Sequence, residues 1–218
     1  MISQKTILLL HSLFASSSRL LGDLLDRCSS LNQLQELLLM AHLQNSKQIL
    51  QEFPSVYFLN KESICIEKGV QILPGALVEG PCYLGENVSI GHCAMIRKGT
   101  FLAKNVHIGH CSEISRSIFF EGAKAPHFNY VGDSMVGENV NLGAHVTAAN
   151  LRLDKQEIIL HFEGEKIATG GNKFGSLIGD NSSIGCAVTL NPGTIIEKNT
   201  QIPPLSTQIG KKTWVENS

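Results

Sequence analysis

The chain has 218 residues with 18 basic and 19 acidic side chains, enough for one large domain and a small appendage. So even a balance excludes a basic nucleic-acid footprint or a polybasic membrane patch, and no apolar run approaches the roughly 20 residues of a membrane span. Only 17% of residues are charged and 20 are Gly, which suits tightly turned coils with flat faces.

The start, Lys5 followed by Thr6-Ile7-Leu8-Leu9-Leu10 with small residues at Ala15-Ser16-Ser17, has a faint likeness to a secretory signal. His11 interrupts the apolar run, and Leu20, Leu21, Leu24 and Leu25 continue at helical spacing. An amphipathic helix from about Lys5 to Arg27 is therefore expected. Ser30 with Gln33 fits a capping box opening a second helix toward Gln51. Leu31, Leu34 and Leu38, with Leu37 and Leu43, give the pair an apolar side that needs a partner. Pro54 ends the region, and Val56-Tyr57-Phe58-Leu59 reads as a strand. Residues 1–60 are thus expected to be a helical region capping the open first coil of a solenoid.

The solenoid announces itself by a six-residue beat. Ile66, Ile72, Val78, Leu84, Ile90, Ile96, Leu102, Ile108 and Ile114 are all aliphatic, and the beat returns as Ile178, Ile184, Leu190, Ile196 and Ile202. A compact residue stands two places earlier, as at Val70, Ala76, Cys82, Val88 and Ala94, and Gly often follows, as at Gly85, Gly91 and Gly109. Neither a helix nor an ordinary strand has that period. It is the hexapeptide pattern of a parallel β-helix, in which three hexads make a triangular coil and residues 18 apart stack about 4.8 Å apart. Residues 61–210 form this mainly β domain, and 211–218 read as a loose tail. Insertions are expected near 120–130, where the beat fails beyond Phe119, and over 149–175. Within the second, Glu157 to Ile167 reads as a β-hairpin turning at Glu163-Gly164. Insertions in a solenoid leave from one edge, so both are expected on one face. The six Cys show no CxxC spacing and mostly fall on hexad positions, as packed free thiols in a reducing cytoplasm would.

Chemically interesting side chains concentrate in these irregular stretches. The string Lys124-Ala-Pro-His127-Phe-Asn-Tyr130-Val-Gly-Asp133, then Gly137-Glu-Asn-Val-Asn141-Leu-Gly-Ala144, Asn150 and Asn172-Lys173-Phe174, resembles the C-terminal acetyltransferase half of the bifunctional UDP-N-acetylglucosamine synthesis enzymes. Asn150-Leu-Arg-Leu-Asp154 is similar to the archaeal-type sugar-1-phosphate nucleotidyltransferases that share this half. The resemblance covers roughly residues 64–205. It implies a left-handed β-helix, an exception to the right-handed crossover rule, and a cytoplasmic homotrimer with sites between adjacent prisms. It also implies transfer of acetyl from acetyl-CoA to the amine of an amino-sugar phosphate, glucosamine 1-phosphate in that family. On the same resemblance His127 is the general base, and Arg97, Glu113, Tyr130, Asn141, Asn150 and Lys173 meet the acceptor. Ala144 and Cys186 lie beside the coenzyme. The residue types suit the chemistry: imidazole takes a proton at neutral pH, and Arg offers a two-pronged donor to phosphate.

Ser115 departs from the pattern, standing where the bacterial enzymes carry a second phosphate-binding Lys. Arg116 is adjacent but points to the opposite side if the strand is regular, which leaves Lys124 or Lys155 to substitute from a loop. Pyrophosphorylase activity is not expected of these residues, because the helical region cannot supply the Gly-rich loop and sheet of the family's nucleotidyltransferase domain. A zinc hydratase can be built on the same scaffold, and His92 and His110 are 18 apart with His107 nearby. Their spacing does not fit that arrangement, so no metal is expected. Another amino or nucleotide sugar as acceptor, or a non-catalytic trimeric module, are the alternatives that Ser115 leaves open.

Overall fold

The aliphatic beat becomes the inside of a prism. All nine beat residues from Ile66 to Ile114 and all five from Ile178 to Ile202 are buried in one continuous core. The computed structural model describes residues 2–14, 18–45 and 52–212, which form a left-handed parallel β-helix of about eight turns with helices along one side. Sheet A stacks Tyr57–Leu59, Leu77–Glu79, Met95–Ile96, Glu113–Ser115, Tyr130–Gly132, Thr147–Ala148, Thr189–Leu190 and Thr207–Gln208. Sheet B runs from Ile64–Ile66 to Lys211–Lys212, and sheet C from Gln71–Ile72 to Gln201–Ile202. The chain visits A, B and C in turn, with every pairing between coils parallel.

Most corners bend through the left-handed region, where Gly costs nothing and Asn little. The B–C corner shows why Asn recurs: Gly69, Asn87, Asn105, Gly122, Asn139, Asn181 and Asn199 all have positive φ. Their amides also bond along the stack, as from Asn87 Nδ2 to Asn105 Oδ1 at 3.4 Å and from Asn139 Nδ2 to Asn181 Oδ1 at 3.2 Å.

The expected insertion near 120–130 is absent. Lys124–His127 continues sheet C, pairing with His107–His110. What breaks the beat is a shortening: Met95 pairs with Glu113, 18 residues on, but Glu113 pairs with Tyr130 and Tyr130 with Thr147, each 17 on. One residue is lost at the A–B corner in each coil, after Ile114 and again after Val131. Buried hydroxyls take up the displaced backbone groups. Ser117 Oγ accepts from Ser134 N at 3.1 Å and donates to Ser115 O at 2.9 Å; Ser134 Oγ accepts from Ser176 N and donates to Gly132 O. The true insertion leaves at this same corner, where Thr147 pairs with Thr189, 42 residues on. It carries the expected hairpin, Ile159–Phe162 against Glu165–Ala168, turning through Glu163 and Gly164 at positive φ.

The helices do not cap the first coil; Phe53, Val56 and Phe58 pack against that end of the core. Helices α1 (Gln4–Leu13), α2 (Ser18–Leu25) and α3 (Leu31–Asn45) lie instead on the outer side of sheet B. There Leu9, Leu13, Leu34 and Leu38 meet Phe101, Ile118, Phe120, Met135, Leu177 and Ile195, with Leu160 and Phe162 of the hairpin, in a second core. The single helix expected over 5–27 is broken. Phe14 ends α1 in a non-helical conformation and buries its ring 5.2 Å from that of Phe120, while Leu13 O accepts from the backbone of Asp180. Ser30 caps α3 by accepting from Gln33 N at 3.2 Å, and Gln33 Oε1 reaches back to Ser29 N at 2.7 Å, one residue beyond the usual box. The end expected near Gln51 lies outside the described residues. The tail expectation is corrected at its start, because Lys211–Lys212 pairs with Ile195–Ile196. None of the six Cys is in a disulfide, yet Cys93, Cys111 and Cys186 are exposed, and only Cys28, Cys65 and Cys82 pack inside. Cys93 and Cys111 occupy left-handed corner positions, which turn a side chain outward.

Candidate active site

Sheet A carries the polar ladder. Its inward positions, Ile96, Ile114, Val131 and Ala148, are fully buried, so period two sends Arg97, Glu113, Tyr130 and Thr147 to the outer side. Glu113 and Tyr130 are direct neighbours in register. Arg97 Nη1 donates to Glu113 Oε1 at 3.0 Å, with both side chains about a third or more exposed. Burial, followed by the carboxylates of Glu113 and Asp133, pushes the Tyr130 phenol up, so it is protonated at neutral pH and can donate. Asn150 lies beside this phenol and donates to Asp133. Both side chains lie over Gly132, where a Cβ would sit 2.5 Å from Asn150 Nδ2 and 2.8 Å from the Tyr130 oxygen.

His127 stands at the C–A corner, at the start of the turn leading into Tyr130, and is exposed. Asn129, buried below it, fixes this turn: Oδ1 accepts from His127 N at 3.1 Å and Nδ2 donates to Gly143 O at 2.7 Å. Rings line the corner. His110 lies 5.7 Å from His127 and 4.4 Å from Phe128, and Phe128 stacks on His145 at 5.0 Å. Ala144 and Cys186 occupy the same corner one and two coils on. Gly143 permits this, since a Cβ there would be 2.7 Å from Cys186 N. His107 lies on sheet C, and burial, then His127 and Lys124, lowers its imidazole.

Of the remaining predicted residues, Asn141 lies apart from this group within one chain, and Lys173 lies on the Asp133 side of it. Asn141 is on sheet C, paired with Lys124 and Ser183, around the corner from Tyr130. Lys124 is therefore a sheet C strand residue rather than a loop substitute for the missing Lys. Lys173 lies in the long insertion at the A–B corner, bridged to Leu151.

Ser115 is buried and its Oγ has no hydrogen-bond partner, and a neutral hydroxyl cannot supply the charge of the Lys expected there. Sequence reasoning placed Arg116 on the wrong side. The strand ends at Ser115, and Arg116 takes a left-handed turn with φ 46°, which swings the guanidinium outward. It grips Asp133 with Nε to Oδ1 at 2.6 Å and Nη2 to Oδ2 at 2.8 Å, and that pairing raises its already high pKa. The lost corner residue, visible in the sequence as five-residue steps from Ile114 to Phe119 and from Val131 to Val136, was the signal for this. Among the described residues no group of three His, Cys, Asp or Glu is arranged to hold a metal ion, and His92 Nδ1 bonds Pro74 O instead.

The bacterial transferase hexapeptide family (six repeats) matches residues 66–98, so the chain carries that repeat. A bifunctional sugar-1-phosphate nucleotidylyltransferase/acetyltransferase of Sulfurisphaera tokodaii is 38% identical over 144 residues, 66% of this chain and 36% of that protein. A bifunctional protein GlmU of Methanococcus aeolicus is 38% identical over 140 residues, 64% of this chain and 34% of that protein. Among solved structures, a hexapeptide transferase family protein from Anaplasma phagocytophilum is 14% identical, with a TM-score of 0.39 over 72% of this chain and 78% of that one. The chain is similar to the C-terminal acetyltransferase half of the bifunctional proteins, and spans about a third of the length of these curated relatives.

Proposed function

We propose that this chain is an acetyl-CoA-dependent N-acetyltransferase acting on the amine of an amino-sugar phosphate, with glucosamine 1-phosphate as the acceptor, in UDP-N-acetylglucosamine synthesis. The observation that carries the reading is the outer side of sheet A. It sets Arg97, Glu113, Tyr130 and Asn150 side by side, with the exposed imidazole of His127 at its edge.

In this reading His127 removes a proton from the acceptor ammonium, freeing the nitrogen lone pair to attack the thioester carbonyl. The C–N bond forms as the nitrogen gives its second excess proton to water, the C–S bond breaks, and the proton held by His127 passes to the departing sulfur. No covalent enzyme intermediate is needed, because both substrates bind together. Glu113 and the protonated Tyr130 hold acceptor hydroxyls, and Arg97 meets anionic oxygen. Ala144 and Cys186 border the coenzyme slot at the ring-lined corner. In this reading the protein is a homotrimer, and Asn141, on sheet C, comes to the site from a neighbouring prism.

Thiol release from acetyl-CoA across a panel of amino-sugar phosphates tests the reading. Release with glucosamine 1-phosphate is the expected result; no release with any acceptor at high enzyme concentration would sink it. The buried, unpartnered Ser115 favours a second reading, transfer to another amino or nucleotide sugar. The same panel separates the two.

A further inference from the structure

A cavity of ≈ 590 Å³ lies between α3 and the A–B corner, on the far side of Tyr130 and Asn150 from His127. Its wall is built from two parts of the chain that share no repeat: Asn32 and Gln35 of α3 on one side, and Lys98, Arg116, Asp133 and Lys173 on the other. Two of these groups are incomplete as they stand. Gln35 is 7% exposed, and its Nε2 has no hydrogen-bond partner; Asn32 Oδ1 is likewise buried and unpartnered. A buried donor and a buried acceptor left unmade are each costly. A ligand that offers oxygen acceptors and hydroxyl donors satisfies both.

The charges point the same way. Three cations line the cavity against two carboxylates, and Asp133 is already engaged by Arg116 and Asn150. That engagement uses Nε and one proton of Nη2, leaving three guanidinium protons to face the cavity. Gly99 makes room for the stem, since a Cβ there would sit 2.8 Å from Arg116 Cγ. Glu36, exposed at the α3 side, suits a hydroxyl donor. Asp133 joins the cavity to Asn150 and hence to Tyr130, so it is continuous with the acceptor side of the site.

We propose that this cavity is the anion subsite of the acceptor, in which Arg116, Lys98 and Lys173, with the amide of Gln35, hold the phosphate-bearing end that Ser115 cannot. Helix α3 is then a specificity element of the site. The inference rests on the transferase reading for its choice of ligand, but its test needs no transfer.

Binding of inorganic phosphate, glucosamine 1-phosphate and unphosphorylated glucosamine to the full chain is measured by titration calorimetry, without acetyl-CoA. Phosphate and the phosphate ester bind, and glucosamine binds far more weakly. Arg116→Gln weakens both anions by about 10- to 100-fold, the loss of charge-assisted hydrogen bonds. Because that variant also strands Asp133, Lys98→Gln and Gln35→Leu are measured beside it, each expected to cost about 3- to 10-fold with unchanged melting. Equal anion affinity in folded Lys98→Gln and Gln35→Leu, or glucosamine binding as tightly as its phosphate, overturns the subsite. Arg116-dependent phosphate binding by a protein that transfers nothing supports the subsite and removes the transferase reading alone.

Discussion

Gly132→Ala separates the site from the scaffold that carries it. The Gly132 backbone is not in the left-handed region, so Ala is compatible with it. The three atoms that an added Cβ meets are Asn150 Nδ2 at 2.5 Å, Asn150 Cγ at 2.8 Å and the Tyr130 oxygen at 2.8 Å. All are ends of side chains that can swing away, so the fold persists while the site moves. Replacing Gly by Ala lowers the entropy of the unfolded chain, contributing about 0.4–1 kcal/mol. Losing the Asn150 bond to the Asp133 carboxylate costs about 1.5–3 kcal/mol. The difference is a destabilisation of about 0.5–2.6 kcal/mol, or roughly 1–10 °C in Tm for a chain of this size. Displacing Tyr130 and Asn150 by about 1 Å costs on the order of 100-fold in kcat/KM. Thiol release and a thermal melt read the two effects separately. Transfer within about twofold of the parent protein would show that neither side chain positions the acceptor. A melt lowered by more than about 10 °C would show that the backbone, not the side chains, had yielded.

Gly109→Ala is the opposite case. A Cβ there would lie 1.6 Å from Pro126 O, a backbone atom of the adjacent coil, so a loss of about 3 kcal/mol or more is expected in a denaturant melt. Stability close to the parent's would mean the coils are not so tightly stacked. His127→Ala should lower transfer by about 10²- to 10⁴-fold and leave the melt and the oligomer size unchanged, since the side chain is exposed; retained turnover would remove it as the base. For pH, the fold holds the His107 imidazole below its unfolded value of about 6.5, so the unfolded chain binds the proton more readily. The stability that neutral His107 contributes is complete above about pH 6.5 and is lost as pH falls through the lower folded value. Thermal melts between about pH 7 and 5 should therefore slope less in His107→Gln than in the parent, and identical slopes would contradict that assignment.

The prism interior was legible because each hexad of a parallel β-helix sends one large aliphatic side chain inward with a compact one two places before it, and Ile66 to Ile114 keep that beat without a lapse. The hairpin at Glu163-Gly164 and the Ser30 cap were legible for the same reason, since each depends on residues close together in sequence. The position of the helices was not read, though a trace was present. Strands of sheet B, such as Phe101-Leu102, Ile118-Phe119, Leu177-Ile178 and Ile195-Ile196, are apolar on both sides, whereas sheet C alternates, as in Ser89-Ile90 and Asn141-Leu142. A strand buried on both faces demands a second layer. That layer is the Leu-rich helical region.

By itself, the sequence determined the coil, its core and the position of Arg97 on the repeat, because a fixed repeat converts offsets into neighbours. It could not determine what happens where a residue is missing from that repeat. The one-residue losses after Ile114 and Val131 look like a failed beat, yet in three dimensions they tighten the A–B corner and turn Arg116 outward onto Asp133. Nor could it bring α3, some 80 residues earlier in the chain, against that corner. Such a contact depends on which apolar surface each element must bury, and only the assembled tertiary structure decides that.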